Sequence, residues 1–475
     1  MNLFKESFLY AIGYLFSRFQ YFFILPFLLR KITVSDYGIV ESLGVLQLFV
    51  LVLVVNNFDT SLSSYYYEDD KKQKNLEAVG FFSCLLNSSA LVAVFIVFSS
   101  FFSKLILNSV SYKEEIVLAV GWALMNSLIH YNSFLLRLQK KIKQYSFLLI
   151  FQGLITLGLI YYFTVLKTFG VKGYLIGNLL GSFITWTITQ KLVSYSFAKI
   201  DFKNNFLKLL RLAIPMFPVS IAAWSLTLID RILLAQYSPG GLTDVGVYGF
   251  AVKMATLGSI LWGPFQLAWM PFALSSFKKN NVIDDLEKAA SWFFYLSYMV
   301  IILITFLSPI VVNIFFPAQY KFAVIYVGPL LLCNFFNIAY YLPYTSLIQM
   351  KKLYPVTIAF ISASILNLIL NLYLIPIMGI VGAVLANVVG YIIIFGITLF
   401  YSRVSNYPKY FKKEHFFTLG LVVLFLAINF IIQDSFWLRL GFASLSCMGI
   451  TFIFYYFNMI EFKVCSIFLK EKYSK

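Results

Sequence analysis

Charge is what this chain has least of. Asp, Glu, Lys and Arg make up 12% of its 475 residues, about half the share found in a soluble domain. Hydrophobic residues make up 60%, and the mean hydropathy is +0.83, so the chain needs lipid as its solvent. Histidine is almost missing, with only His130 and His415. The four cysteines, Cys84, Cys333, Cys447 and Cys465, form no CxxC. A disulfide framework and a Cys/His metal site are therefore not expected, and neither is a cofactor. No loop between apolar runs exceeds about 20 residues, which leaves no room for a soluble domain.

What is there is apolar length. Hydropathy windows predict about fourteen transmembrane helices. The first six run roughly 8–29, 38–57, 79–103, 115–135, 146–166 and 173–191. The next six run roughly 211–236, 246–275, 289–316, 322–348, 355–375 and 379–401, followed by 415–432 and 436–459. Long continuous runs without alternating polarity predict helices and not a barrel. The first run is too long for a cleavable signal and lacks a small-residue cleavage site, so it is expected to be the first span.

The net charge of +17 suggests nucleic acid until the cations are placed. One set of loops, together with Lys5, holds about 26 Lys and Arg, and the alternate set about 8. The rich set includes "KKQK" at 71–74, "RLQKKIK" at 137–143 and Lys191 to Arg211. The positive-inside rule puts that set, and both ends of the chain, in the cytoplasm. The charge then reads as an orientation signal beside anionic lipid, with no nucleic-acid partner.

One pattern is written twice. "FGVKGYLIGNLLG" at 169–181 matches "MGIVGAVLANVVG" at 378–390, and "SDYGIVESL" at 35–43 resembles "GVYGFAVKM" at 246–254. The offset is about 210 residues, or six helices. An even-numbered unit repeats the same way up, as a parallel repeat. The expected organisation is a six-helix lobe at 1–195, a second at 205–402, and two more helices with a tail at 403–475. A central cavity is expected between the lobes. Gly173, Gly177 and Gly181 share one helix face, as do Gly382, Ala386 and Gly390. Small residues so spaced are expected to serve close helix packing. Asn178 and Asn387 could hydrogen-bond across such a contact.

A few charges fall inside the spans. Arg18 lies near the middle of the first, where an Arg costs about 2.5–3.5 kcal/mol on the insertion scale. Arg30 and Glu41 lie near the outer ends of the first two spans, and Asp230, Arg231 and Lys253 in the seventh and eighth. Two readings stand. These residues line a cationic cleft for an anionic head group, with Glu41 and Asp230 as counter-charges or ion-coupling groups. Alternatively they pair locally, Asp230 with Lys253 and Glu41 with Arg30. His130 reads as a buried hydrogen-bonding residue or a proton relay. Pro26 falls late in the first span, Pro215 and Pro218 are expected to open the seventh, and Pro264 and Pro271 to interrupt the eighth.

The chain resembles the Wzx-like polysaccharide (O-antigen type) flippases of the multidrug/oligosaccharidyl-lipid/polysaccharide exporter superfamily. The resemblance lies in "RFQYFFILPFLLRKITVSDYGIVES", "IPMFPVSIAAWSLTLIDRILLAQY" with "DVGVYGFAVKM", and "LNLILNLYLIPIMGIVGAVLAN". It implies a two-lobed, alternating-access transporter in the bacterial inner membrane. Its substrate would be an undecaprenyl-diphosphate-linked oligosaccharide repeat unit, moved to the outer leaflet for surface polysaccharide. It implies Arg18, Arg30, Arg231 and Lys253 as substrate-binding residues, with Asp230 also at the cavity. A proton or sodium gradient would drive transport, beside polysaccharide polymerase machinery. Other readings are a lipid II flippase, a multidrug-type exporter and an uncoupled scramblase. A membrane polymerase or glycosyltransferase fits less well, because the outer loops are short and nearly free of carboxylates.

Overall fold

Polar residues decide where several of the apolar helices begin. The computed structural model describes residues 3–66, 70–193, 195, 201–277, 282–403, 408–429, 436–457 and 459. Among these, helices meet every expected span, and ten segments are long and apolar enough to cross a membrane. The chain is a multi-pass, all-α membrane protein. It divides into two compact units, Met1–Gly249 with Asn367–Ala383, and Phe250–Leu366 with Val384–Lys475.

The first unit opens with α1 (Leu3–Leu29) and α2 (Val34–Val55). Thr33 starts α2 through a capping box: its hydroxyl accepts from Asp36 N at 3.1 Å, and its own N–H donates to Asp36 Oδ2 at 3.2 Å. The second span thus begins four residues earlier than hydropathy suggests. Asn56 and Asn57, both left-handed at φ 45° and 57°, break it before the short α3 (Phe58–Tyr65). Asparagine tolerates that conformation better than most residues. There follow α4 (Asp70–Val97), α5 (Ser99–Leu107), α6 (Lys113–Leu138), α7 (Ile142–Ile160), α8 (Gly170–Leu192) and α9 (Phe202–Tyr237).

Helix α9 is 36 residues long. Asp201 caps it by accepting from Asn204 N at 3.2 Å, so Pro215 and Pro218 lie inside the helix and do not open it. Next comes α10 (Leu242–Ala255), which crosses the boundary between the units. A 3₁₀ turn at Thr256–Gly258 separates it from α11 (Ser259–Ser276). The span breaks at that turn and not at Pro264 and Pro271, both of which sit within α11.

The second unit is centred on α12 (Val282–Phe315), followed by α13 (Val324–Ala339) and α14 (Tyr341–Gln349). Helices α15 (Tyr354–Met378) and α16 (Ile380–Arg403) lie partly in each unit. The two extra helices, α17 (Lys413–Asn429) and α18 (Phe436–Tyr456), pack on α12. An aromatic core holds them there: Phe294 lies 4.8 Å from the His415 ring and 5.8 Å from Phe335, centroid to centroid.

The duplicated motif proves to be a helical hairpin. Gly170 and Gly379, equivalent by the repeat, both take positive φ, +58° and +55°. Each turns the chain back between two helices, a conformation that costs glycine little. After the turn, a Cβ on Gly173 would meet the Phe163 carbonyl oxygen at 2.8 Å, and one on Gly382 the Leu374 carbonyl carbon at 2.6 Å. Further along, Gly177 faces Ile160 N (2.7 Å) and Gly181 faces the Thr156 hydroxyl (2.6 Å). The glycines thus let α8 ride on the backbone of α7. Ala386 and Gly390 are buried. Asn178 accepts from the Tyr21 hydroxyl of α1 at 3.3 Å; Asn387 is also buried.

Candidate functional site: a buried arginine between two carboxylates

In the first unit, α2 meets α10 through glycine and also packs on α9. A Cβ on Gly38 would collide with the Leu242 carbonyl, and one on Gly246 with the Val34 carbonyl. Beside this crossing, three sequence-predicted residues come together. Arg231 Nε lies 3.5 Å from Glu41 Oε2, and its Nη1 lies 3.2 Å from Asp230 Oδ1. All three are buried: Glu41 is 8% exposed, Asp230 1% and Arg231 6%.

Every polar atom of the cluster with a described partner is held by a neighbour. Arg231 N donates to Asp230 Oδ1 at 2.8 Å, and Arg231 Nη1 also reaches the Thr227 carbonyl at 3.4 Å. The Tyr37 hydroxyl donates to Glu41 Oε1 at 2.9 Å, and the Tyr248 hydroxyl to Asp230 Oδ2. The Tyr248 ring also lies against the guanidinium, 5.3 Å from centroid to Cζ. A Cβ on Gly249 would strike the Glu41 side chain, so the bare glycine makes room for the carboxylate. Charges this far from water persist only when paired and hydrogen-bonded.

Neither local pair anticipated above included Arg231. Arg231 binds Glu41 and Asp230 at once, with its guanidinium fork set between them. Arg231 lies against two carboxylates and is not a bare cationic pocket.

The other predicted residues lie elsewhere. Arg30 is exposed at the end of α1. Lys253 is half-buried in α10, in the second unit. Arg18 belongs to α1, but its side chain lies outside the described residues. Sequence reasoning missed Tyr37 and Tyr248, although the repeat carries the signal. They are the paired tyrosines of "SDYG" and "GVYG", and each donates to a carboxylate of the cluster. Several other tyrosines are fully buried, among them Tyr131, Tyr298 and Tyr320. Among the described residues, no group of three His, Cys, Asp or Glu could hold a metal ion.

No family model matches the chain. It is 26% identical over 310 residues to protein 1 of the Lsg locus of Haemophilus influenzae, covering 62% of this chain and 72% of that protein. The fold is that of the lipid flippases and multidrug transporters. The lipid II flippase MurJ, in an inward closed conformation, superposes with a TM-score of 0.71 over 94% of this chain and 99% of its own, at 19% identity. A multidrug resistance MATE family transporter of the MOP superfamily, inward-facing, gives 0.65 over 83% and 97%, at 13% identity.

Proposed function

We propose that this chain is a flippase carrying an undecaprenyl-diphosphate-linked oligosaccharide repeat unit from the cytoplasmic to the outer leaflet. The observation that carries this reading is Arg231, buried between Glu41 and Asp230 where two helices cross on glycine. Buried charge in a membrane protein is costly and marks functional sites by default. Its chemistry suits a diphosphate, whose oxygens compete with a carboxylate for the guanidinium fork. In this reading the head group exchanges places with Glu41 or Asp230, and that exchange loosens the α2–α9 contact. Arg18, Arg30 and Lys253 add positive charge along the path, and the polyprenyl tail stays in lipid while the sugars cross.

The two sequence repeats, 1–195 and 205–402, are proposed as the moving lobes of an alternating-access cycle. The chain is placed in the bacterial inner membrane with both ends inside, on the asymmetry of its Lys and Arg. Its product would serve O-antigen or another surface polysaccharide, handed on to polymerase machinery. The likeness to MurJ keeps lipid II in view as the alternative cargo. Both cargoes share a diphosphate, so the sugar decides between them.

The test is transport by the purified full chain in vesicles loaded with defined lipid-linked sugars. Movement of a repeat-unit lipid and not of lipid II is the expected result. Movement of neither, in vesicles with either a proton or a sodium gradient, overturns the reading.

A further inference from the structure

We propose that Asp59 and His130 form a proton-binding site that determines whether α3 is held against α6. Asp59 Oδ2 lies 3.4 Å from His130 Nε2. The His130 side chain is 42% exposed and that of Asp59 19%. Asp59 lies in α3, just past the apolar run predicted at 38–57, and His130 in α6. The same face of α6 carries Asn126, one turn away, which accepts from Gln152 Nε2 at 2.8 Å. This face therefore carries two polar side chains one turn apart.

The partner sets make the pair a proton site. Asp59 also accepts from the N–H and hydroxyl of Thr60 at 2.7 and 3.3 Å. Among the described residues, His130 is its only basic partner. Histidine is the side chain whose charge changes between about pH 5 and 8. A carboxylate in the membrane whose sole counter-charge can disappear is an energetic switch. With the proton bound, the pair is a salt bridge between α3 and α6. Without it, the ionised carboxylate keeps only a hydrogen bond from a neutral imidazole. The second histidine cannot serve this way: His415 is fully buried, and its Nδ1 accepts from Lys412 N at 3.1 Å.

The fold gives α3 room to respond. It follows the left-handed pair Asn56–Asn57, so it is joined to α2 by a bend and not by a continuous helix. On its other side, Asn57 Oδ1 accepts from the Ser220 hydroxyl of α9 at 2.8 Å. A cavity of about 620 Å³ lined by Tyr65, Lys208 and Arg211 opens beside its end. Other titratable groups also surround α3. From α4, Glu77 accepts from Tyr66 (3.1 Å) and Gln139 (3.1 Å), and Cys84 is a buried thiol. From α6, Tyr131 donates to the Glu77 carbonyl at 3.1 Å. From α9, Lys208 lies 3.9 Å above the Tyr65 ring, and Arg211 lines the cavity.

As the coupling site of transport this inference rests on the flippase reading; as a proton site it does not. The experiment uses the full chain in lipid nanodiscs with the native cysteines replaced. Ser64→Cys in α3 carries a pH-insensitive fluorophore that reports its surroundings. Its signal is expected to titrate as one proton between about pH 5 and 8, unchanged when sodium is replaced by choline. Asp59→Asn and His130→Gln should remove the transition. His130→Arg, which keeps the ion pair but cannot lose its charge, should hold the low-pH signal at every pH. A His130→Arg protein that still titrates like its parent overturns the proposal, as does a transition that follows sodium and not pH. No substrate is needed, so a failed transport assay leaves this result standing, and a failure here leaves transport open.

Discussion

Arg231 and Glu41 stand 190 residues apart in the chain, yet the guanidinium Nε of one lies 3.5 Å from the carboxylate of the other. This contact ties α2 to α9, and Asp230 and Tyr248 complete it from α9 and α10. Removing one member of such a group leaves an opposite charge stranded in a dry place. Breaking a buried pair in this way costs about 3–5 kcal/mol, far more than replacing the whole group with apolar residues of similar shape.

Arg231→Ala is therefore expected to lower the thermal stability of the detergent-purified protein sharply, and Arg231→Lys less so. Lys keeps the charge but cannot fork between two carboxylates. The double variant Glu41→Gln, Arg231→Gln should be more stable than Arg231→Ala. Melting followed by size-exclusion chromatography checks the order; equal loss in all three variants would contradict it.

Tyr248→Phe deletes one donor to Asp230 and leaves the ring against Arg231. Hydrogen bonds to charged groups contribute about 1.5–3 kcal/mol, so a smaller fall is expected than for Arg231→Ala. Tyr37→Phe should act similarly through Glu41. Combining Tyr248→Phe with Arg231→Ala should cost less than the sum of the two, because both act on Asp230.

The glycine face of α8 predicts a contrast within one hairpin. Gly177→Leu places a side chain where even a Cβ would stand 2.7 Å from Ile160 N, and should abolish folded protein. Gly158→Ala in α7 meets nothing within 4 Å and should be silent or slightly stabilising. Yield of monodisperse protein separates the two.

The proposed orientation is open to direct labelling. Lys113→Cys and Lys140→Cys, at opposite ends of α6, should react with impermeant reagents from opposite sides in intact cells. Lys113 is expected outside and Lys140 inside. Labelling of Lys140→Cys from outside would reverse the assignment.

Much of the fold was legible because lipid imposes simple rules. Continuous apolar length marked each span, and the duplicated glycines marked the hairpins that Gly170 and Gly379 turn. The errors fell where polar side chains act locally. Thr33 and Asp201 extend their helices beyond the apolar windows, and the short α3 lies past the window that ends at 57. At the site, sequence singled out Glu41, Asp230 and Arg231 because charge is conspicuous in apolar surroundings. It could not pair them, since the choice between Arg30 and Arg231 for Glu41 depends on which helices cross. Asp59 escaped notice for a related reason: it lies just past the apolar run read at 38–57.

At 36 residues, α9 is about 54 Å long, while the hydrocarbon layer is about 30 Å thick. Its two ends must therefore stand among phospholipid head groups, with Lys208 and Arg211 near one of them. Any tilt of this rod drags charged groups through an ionic layer. The lipid mixture of the host membrane thereby becomes a mechanical load on the contact that Arg231 makes with Glu41.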